Sequence, residues 1–414
     1  MRRLIAGASA LTLALAFSGP AALADEAGLA AWRLFVADHT APTVRVIDAL
    51  DGDLLDSFTL AGPARLHRTS SGETVFAVQG AAGRVDAIAT GIAFHEHGDH
   101  ADIDVDDAGL LHLHIEGARP AHLAERQGIV AQWFDGEDAV RIFSEKAALA
   151  EKPEARTVGI GTAHHGVAVP YQNHVVASIA DPDDASRLPV GARILDLDGG
   201  TVGEDAACPG LHGSAGSGSL HALACDTGLL LIRQEGDAPA ISHLPWPASL
   251  PEGSSSTLIG GVGLQYFIGD YGPDRVVVID PSEGENGFRQ VELPARRVDF
   301  AVDPIRPRFA YVATADGRLH KIDVLDGAIV GSLALTGPYS LEGDRNAARP
   351  RIAVAGDNVV VSDPLAGKLH LVDAASFAKA SEIAVEGTPS AIVAVGGAGA
   401  VHAHEGEGHS HDHD

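Results

Sequence analysis

The chain has little of what common enzymes of its size carry. Its 414 residues contain no Gly-x-Ser-x-Gly elbow, no His-Glu-x-x-His helix and no phosphate-binding loop. Those absences remove the familiar signatures of serine hydrolases, zincin peptidases and P-loop nucleotidases. The cluster Gly260-Gly261-Val262-Gly263 lacks the strand-to-helix setting that a dinucleotide needs and reads as a turn. Basic residues are scarce as well: 29 Lys+Arg stand against 56 Asp+Glu, a formal net charge of −27. Such a surface repels nucleic acid and anionic lipid and favours cations. Beyond the N-terminus no segment approaches ~18 consecutive apolar residues, so no membrane insertion is expected. Helical periodicity is hard to find; residues 147–152 offer at most a single turn.

The first residues read as an export signal. Arg2 and Arg3 precede the apolar run 4–17, and Ala22-Leu23-Ala24 supplies a small-x-small cleavage pattern. A signal peptide over 1–24 places the mature protein, beginning near Asp25, in the periplasm. Cysteine is limited to Cys208 and Cys225. In an oxidising compartment a disulfide between them is the expectation, with a thiolate metal ligand as the rival.

Short β-branched strands alternate with Asp-Gly, Gly-Asp and Asp-Pro turns, the signal of antiparallel meanders. The phrase at 33–60 (strand, turn, strand ending in Val/Ile-Asp, turn, strand) returns at 308–335 and again at 358–385. Units begin near residues 33, 64, 119, 163, 210, 258, 298 and 348. A four-stranded unit of that period is a propeller blade. The expectation is an all-β chain forming a single β-propeller over 25–397, eight-bladed with seven as the alternative count. The final strand, Ser390 to Val395, closes the sheet that starts at Arg33. Two β-sandwiches are the competing architecture, but no linker interrupts the chain. Residues 398–414 hold almost no apolar content and read as a disordered tail.

What the chain does have is histidine, and it is clustered. Of 21 histidines, eleven fall in or just after two runs. In Phe94–Asp102, the side chains of His95, His97, His100 and Asp102 offer four zinc-type ligands within eight positions. Without strand alternation this segment is expected to be a flexible loop inserted in blade two. Four predicted innermost strands carry histidine at a similar place: His67, His122, His165 and His212. In that register they converge on the propeller axis as a buried metal site; the plainer alternative is that they cap strand ends. His164 should face away from whatever His165 faces. The terminal run, with His402, His404, His409, His411 and His413, resembles a weak metal collector. His112 and His114 share a strand face and read equally as ligands or exposed polar positions. Asp99, Asp104, Asp106 and Asp107 read mostly as solvated loop carboxylates. Imidazole density argues for zinc rather than calcium, although copper and nickel accept the same donors.

A signal peptide, a whole-chain propeller pattern, the segment 95–102 and histidine-bearing inner strands together resemble the AztD family of periplasmic zinc metallochaperones. The resemblance covers essentially the mature chain. It implies a zinc-binding propeller that passes the ion directly to the solute-binding protein of a zinc ABC transporter; the two separated histidine clusters lead us to expect about two tight zinc sites, and a monomer is expected. By motif match it assigns His95, His97, His100 and Asp102 as ligands. A histidine-rich tail is not required of that family. Two other classes stay open: a metal-dependent secreted propeller hydrolase of the lactonase kind, and a scaffold propeller that buffers metal.

Overall fold

The structure, a computed structural model, describes residues 29–96, 101–152, 154–344 and 346–403. Eight sheets follow one another along the chain, seven antiparallel ones of four strands and one of six strands that includes a single parallel pair. Blade two runs from Arg65 to Glu116, and blades three to eight begin at Pro120, Ala168, Ser214, Leu258, Arg297 and Ile352. These starts match the repeat phase read from the sequence, and the blade count is eight. Two stacked sandwiches are excluded, because no sheet pairs strands from distant parts of the chain except at one seam.

That seam is blade one. Its strands Leu29–Asp38, Thr43–Asp48 and Leu54–Thr59 come from the start of the chain, and Pro389–Ala403 comes from its end. Arg33 pairs with Val395 and Asp38 with Pro389, so the last strand completes the first blade as expected. Asp38 also takes the backbone N–H of Thr388 at 2.8 Å. The ladder continues to Leu29 opposite Gly399. The last strand therefore runs six residues past the expected propeller boundary at 397, and only the residues after Ala403 lie outside the described region.

Each blade is buried on both faces near the axis and half-exposed at the rim. Thr74–Gln79, a second strand, is buried at all six positions. Ala328–Ala334, an outermost strand, alternates exposed and partly covered residues. Apolar faces of adjacent blades interlock: Ala131, Trp133 and Val140 of blade three pack with Ala168, Val175 and Leu195 of blade four. Burial on that scale is the main stabilising term for stacked sheets. The only α-helix among the described residues is the short Glu145–Leu149, capped by the Ser144 side chain.

Both described flanks of the segment expected to be a flexible loop are strands. Ile92–Glu96 pairs antiparallel with Ala101–Val105, with His95 opposite Asp102. The reason lies in apolar residues that the histidines distract from: Ile92 and Ile103 are fully buried, with Phe94 packed against the same core as Val395. Residues 400–403 of the last strand pair in parallel with 102–105, so the end of that strand is held beside this hairpin.

Within blades two to eight the innermost strand comes first and the chain meanders outward, whereas in blade one the last strand of the chain is innermost. First and third strands therefore run the same way. Loops entering the inner strands share one end of the propeller with the turns between second and third strands. Connections from third to fourth strands lie at the other end.

The seam has no room for a side chain at Gly396. Its φ is +145°, and an added Cβ would stand 2.0 Å from the carbonyl oxygen of Ala31. Replacing Gly396 by Val is expected to cost about 2 kcal/mol or more, read as a lowered midpoint in chemical denaturation. An unchanged midpoint would mean that the seam does not hold the ring shut.

Candidate metal centre

Three imidazoles meet at the end where the chain enters the inner strands. His122 is the third residue of blade three's inner strand, Pro120–Arg126. His165 and His212 sit on the loops that lead into the inner strands Ala168–Tyr171 and Ser214–Ser217. The expectation that both lie on the strands themselves is corrected. Local side-chain bonds delay the ladder in blade four: His164 Nδ1 donates to the Thr162 carbonyl at 2.8 Å, and the Ser178 hydroxyl accepts from Val167 N–H at 3.0 Å. In blade five Gly213, at φ +85°, kinks the backbone against the Ser256 carbonyl.

The Nε2 atoms of His122 and His165 are 3.4 Å apart, and those of His165 and His212 are 3.2 Å apart. A tetrahedral zinc with Zn–N bonds of about 2.05 Å holds its nitrogens roughly 3.3 Å from one another. The ring protons are assigned by the partners behind them. His165 Nδ1 donates to Asp135 Oδ2 at 2.8 Å, and His212 Nδ1 donates to the Ser256 carbonyl at 2.6 Å. Carboxylate and carbonyl oxygens only accept here, so both Nδ1 atoms carry hydrogen and, in the neutral rings, both Nε2 atoms present lone pairs. Two lone pairs facing each other at 3.2 Å repel unless a cation lies between them. The donor set therefore fits a divalent ion with imidazole affinity, held by His122, His165 and His212 with a fourth position left to another ligand.

Burial, reinforced by the neighbouring His165 and His212, pushes the His122 pKa down to about 3. Its ring is neutral and ready to ligate across the whole physiological range. His164 is buried and does face away, toward Ser178 at 2.9 Å. It packs on Trp133, whose indole N–H donates to the His164 carbonyl at 3.0 Å. That network fixes the loop presenting His165. A disulfide joins Cys208 to Cys225, which leaves neither as a thiolate ligand and pins the start of the loop that carries His212.

The fourth expected channel ligand, His67, is not a member of this group. The nitrogens that all lie within 4.8 Å of one another belong to His122, His165 and His212. His67 sits on blade two's inner strand, Arg65–Arg68, with its Nε2 buried and unpartnered. Burial, with the Arg65 charge adding to it, lowers its pKa to about 4.

The second cluster lies at the opposite end of the propeller, since its hairpin connects the third and fourth strands of blade two. His95 is exposed, and its Nε2 is 2.9 Å from Asp104 Oδ2. Burial and the Glu145 charge raise the pKa of Glu73, in the turn between the first two strands of that blade, and nearby His95 partly opposes them. Asp102 stands opposite His95 in the ladder. His97 and His100 fall outside the described residues, as do His404, His409, His411 and His413; His402 is described only as backbone, opposite Asp104. His112 and His114 are exposed on an outer strand, with His114 3.8 Å from Glu116.

Sequence reasoning missed Asp135, Ser256 and the contact of Asp104 with His95. Nothing local marks Asp135, which ends a strand one blade away from the ring it holds. Asp104 had a signal: it lies two residues after Asp102, hence on the same strand face.

A curated relative, the zinc chaperone AztD of Citrobacter koseri, is 57% identical over 401 residues, covering 97% of this chain and 95% of the relative. The chain belongs to the AztD family of zinc chaperones. A crystal structure of Citrobacter koseri AztD superimposes with a TM-score of 0.89 at 59% identity, over 90% of this chain and 100% of that one. The apo form of the same protein gives 0.87 at 58% identity, over 90% and 99%. NirN, a dihydro-heme d1 dehydrogenase at 12% identity, shares the fold alone, with a TM-score of 0.55 over 87% of this chain and 74% of that one. No family model matches. A zinc chaperone binds and carries its ion, which sets the family apart from the propeller hydrolases weighed above.

Two expectations follow. Asp135→Ala removes the acceptor that orients His165 and is expected to weaken zinc binding about 10–100-fold in chelator competition; unchanged affinity would show that Asp135 does not organise the site. The buried rings also link stability to pH. His67, His122 and His221 have folded pKa values of about 4, 3 and 3, against roughly 6.5 when unfolded. Below that value the unfolded chain binds protons that the folded chain refuses. The contribution of these rings is complete above pH ~6.5 and is lost progressively as pH falls toward their folded values. Denaturation midpoints of metal-free protein should fall steeply over that window, and a flat profile would contradict burial of neutral rings.

Proposed function

We propose that this zinc chaperone works in the periplasm, after export by residues 1–24, and carries zinc as cargo at His122, His165 and His212. The observation that supports the site is the pair of Nε2–Nε2 separations, 3.4 and 3.2 Å, with Nδ1 of two rings committed to Asp135 and Ser256. Three neutral nitrogens bind zinc firmly, and the fourth position is where an acceptor ligand can enter before any histidine lets go. On this reading the ion passes directly to the solute-binding protein of a zinc ABC transporter without release to solvent.

A second, exposed zinc site is proposed on the hairpin, from His95, His97, His100 and Asp102. His95 and Asp102 support it by standing opposite one another at the end of the ladder. An exposed site at a hairpin tip yields its ligands stepwise more readily than a buried one, so this is the proposed donor. The acidic body favours capture of cations at both ends. The tail histidines are proposed as a weak collector of the ion.

The test is transfer from zinc-loaded mature protein to such a binding protein, with a chelator present to trap free ion. Replacing His95, His97 and His100 together by Ala is expected to slow delivery strongly while the three-histidine site stays loaded. Protein truncated after Ala403 should still retain about two ions after dialysis, three or four ligands serving each. Equal delivery by the triple variant would move the donor role to the channel site; a single retained ion would remove the second site.

A further inference from the structure

His67 is the one imidazole at this end of the axis whose chemistry the resting site does not use. It occupies the third position of blade two's inner strand, Arg65–Arg68, as His122 occupies the third position of blade three's, Pro120–Arg126. The two residues thus hold equivalent positions on the inner strands of neighbouring blades. His165 and His212 precede their strands, so His122 is the member of the triad that reaches along the inner strands toward His67. The Nε2 of His67 is buried without a hydrogen-bond partner. A buried, unsatisfied imidazole nitrogen is costly, and most proteins pair it or replace it. Its ring is neutral at ordinary pH, so the nitrogen holds either a lone pair or a lone hydrogen that a cation would displace.

We propose that His67 forms, with His122, an inner station for the divalent ion: a transient site into which the ion moves from the His122–His165–His212 triad as it is loaded or withdrawn. The proposal rests on the reading of that triad as a zinc site. The movement is a ligand exchange in which His67 enters the ion's open fourth position while His165 or His212 departs. His67 binds as the tautomer with its hydrogen on Nδ1, a proton on Nε2 first moving to Nδ1; the exchange itself then makes and breaks only zinc–nitrogen bonds, and the charge on the ion is unchanged. Because His67 is absent from the group within mutual ligand distance, it contributes to the passage of the ion and not to its resting coordination. Blade two's inner strand then turns at Thr69–Glu73 toward the hairpin that bears His95, so the station lies on the strand that spans the two histidine clusters.

A ligand used only in passage changes rates without changing the equilibrium. In full-length mature protein, His67→Ala is expected to leave the zinc dissociation constant of the triad within a few-fold of the parent. The rate of zinc withdrawal by a chromophoric chelator and the rate of loading should fall together, each by about tenfold or more, equivalent to ~1.4 kcal/mol on the barrier. His67→Cys keeps a donor atom and should restore much of the rate, whereas His67→Gln, similar in size but a poor zinc ligand, should not. Denaturation midpoints of the three variants separate exchange from loss of fold. Unchanged rates in His67→Ala would overturn the proposal, as would a dissociation constant that rises in step with the withdrawal rate, which marks a resting ligand. Equal behaviour of the Cys and Gln variants would also overturn it. Failure of the underlying reading looks different: His165→Ala would then leave zinc affinity untouched.

Discussion

The pairing of Leu29–Asp38 with Pro389–Ala403 is the contact on which the rest depends. It is the one ladder in the propeller made between residues more than three hundred positions apart. Without it the other blades form an open stack with two free edges, and the apolar faces of blades one and eight lose their partners. Closure fixes how many inner strands surround the axis and at what spacing. The positions of His122, His165 and His212 are consequences of that spacing, since each comes from a different blade. Bringing first and last strands together carries a large loop-closure entropy, which the burial of Leu34, Val36, Ile392 and Ala394 in one cluster helps to offset.

The same closure explains why the two histidine clusters differ in character. The triad grows out of one inner strand and the loops entering the next two, and the rings of His165 and His212 are braced from behind by a neighbouring blade. Asp135 of blade three holds His165 of blade four, and Ser256, ahead of blade six, holds His212. This bracing across blade boundaries preorganises the nitrogens at zinc-like separations. The hairpin at the other end is braced only at its base, through Ile92, Phe94 and Ile103. Its ligating face is exposed, with Asp104 in contact with His95. On the proposed reading one site holds the ion and the other exchanges it, a difference that follows from which strands carry them.

Burial of unprotonated imidazole is a recurring device in this chain. His122, His67 and His221 are all pushed to pKa values of about 3 or 4, chiefly by desolvation. His221 finds a partner in Ser214, at 2.7 Å, directly beside the loop that bears His212. Neutral rings make good metal ligands and poor proton acceptors, so proton competition does not act through His122 in mildly acidic surroundings. The cost is a folded state that resists acid less well, because every such ring must be stripped of a proton that the unfolded chain would accept.

Much of this was legible in the sequence. Asp-Gly and Asp-Pro turns at a regular spacing, with β-branched runs between them, determined the blades, their phase and the closing strand, because such patterns act locally and repeat. The histidine positions marked the loops and strands where imidazoles gather, and together with the propeller pattern, the signal peptide and the segment 95–102 they suggested the AztD family. Tertiary structure alone decided which rings meet. Whether His67 joins His122, His165 and His212 depends on separations across the axis, which a one-dimensional register cannot fix to within a bond length. The hairpin was hidden because Ile92, Phe94 and Ile103 pair with a core built partly from Val395, some three hundred residues away. Asp135 was invisible for the same reason: a carboxylate becomes the brace of an imidazole only when the ring of blades sets one beside the other.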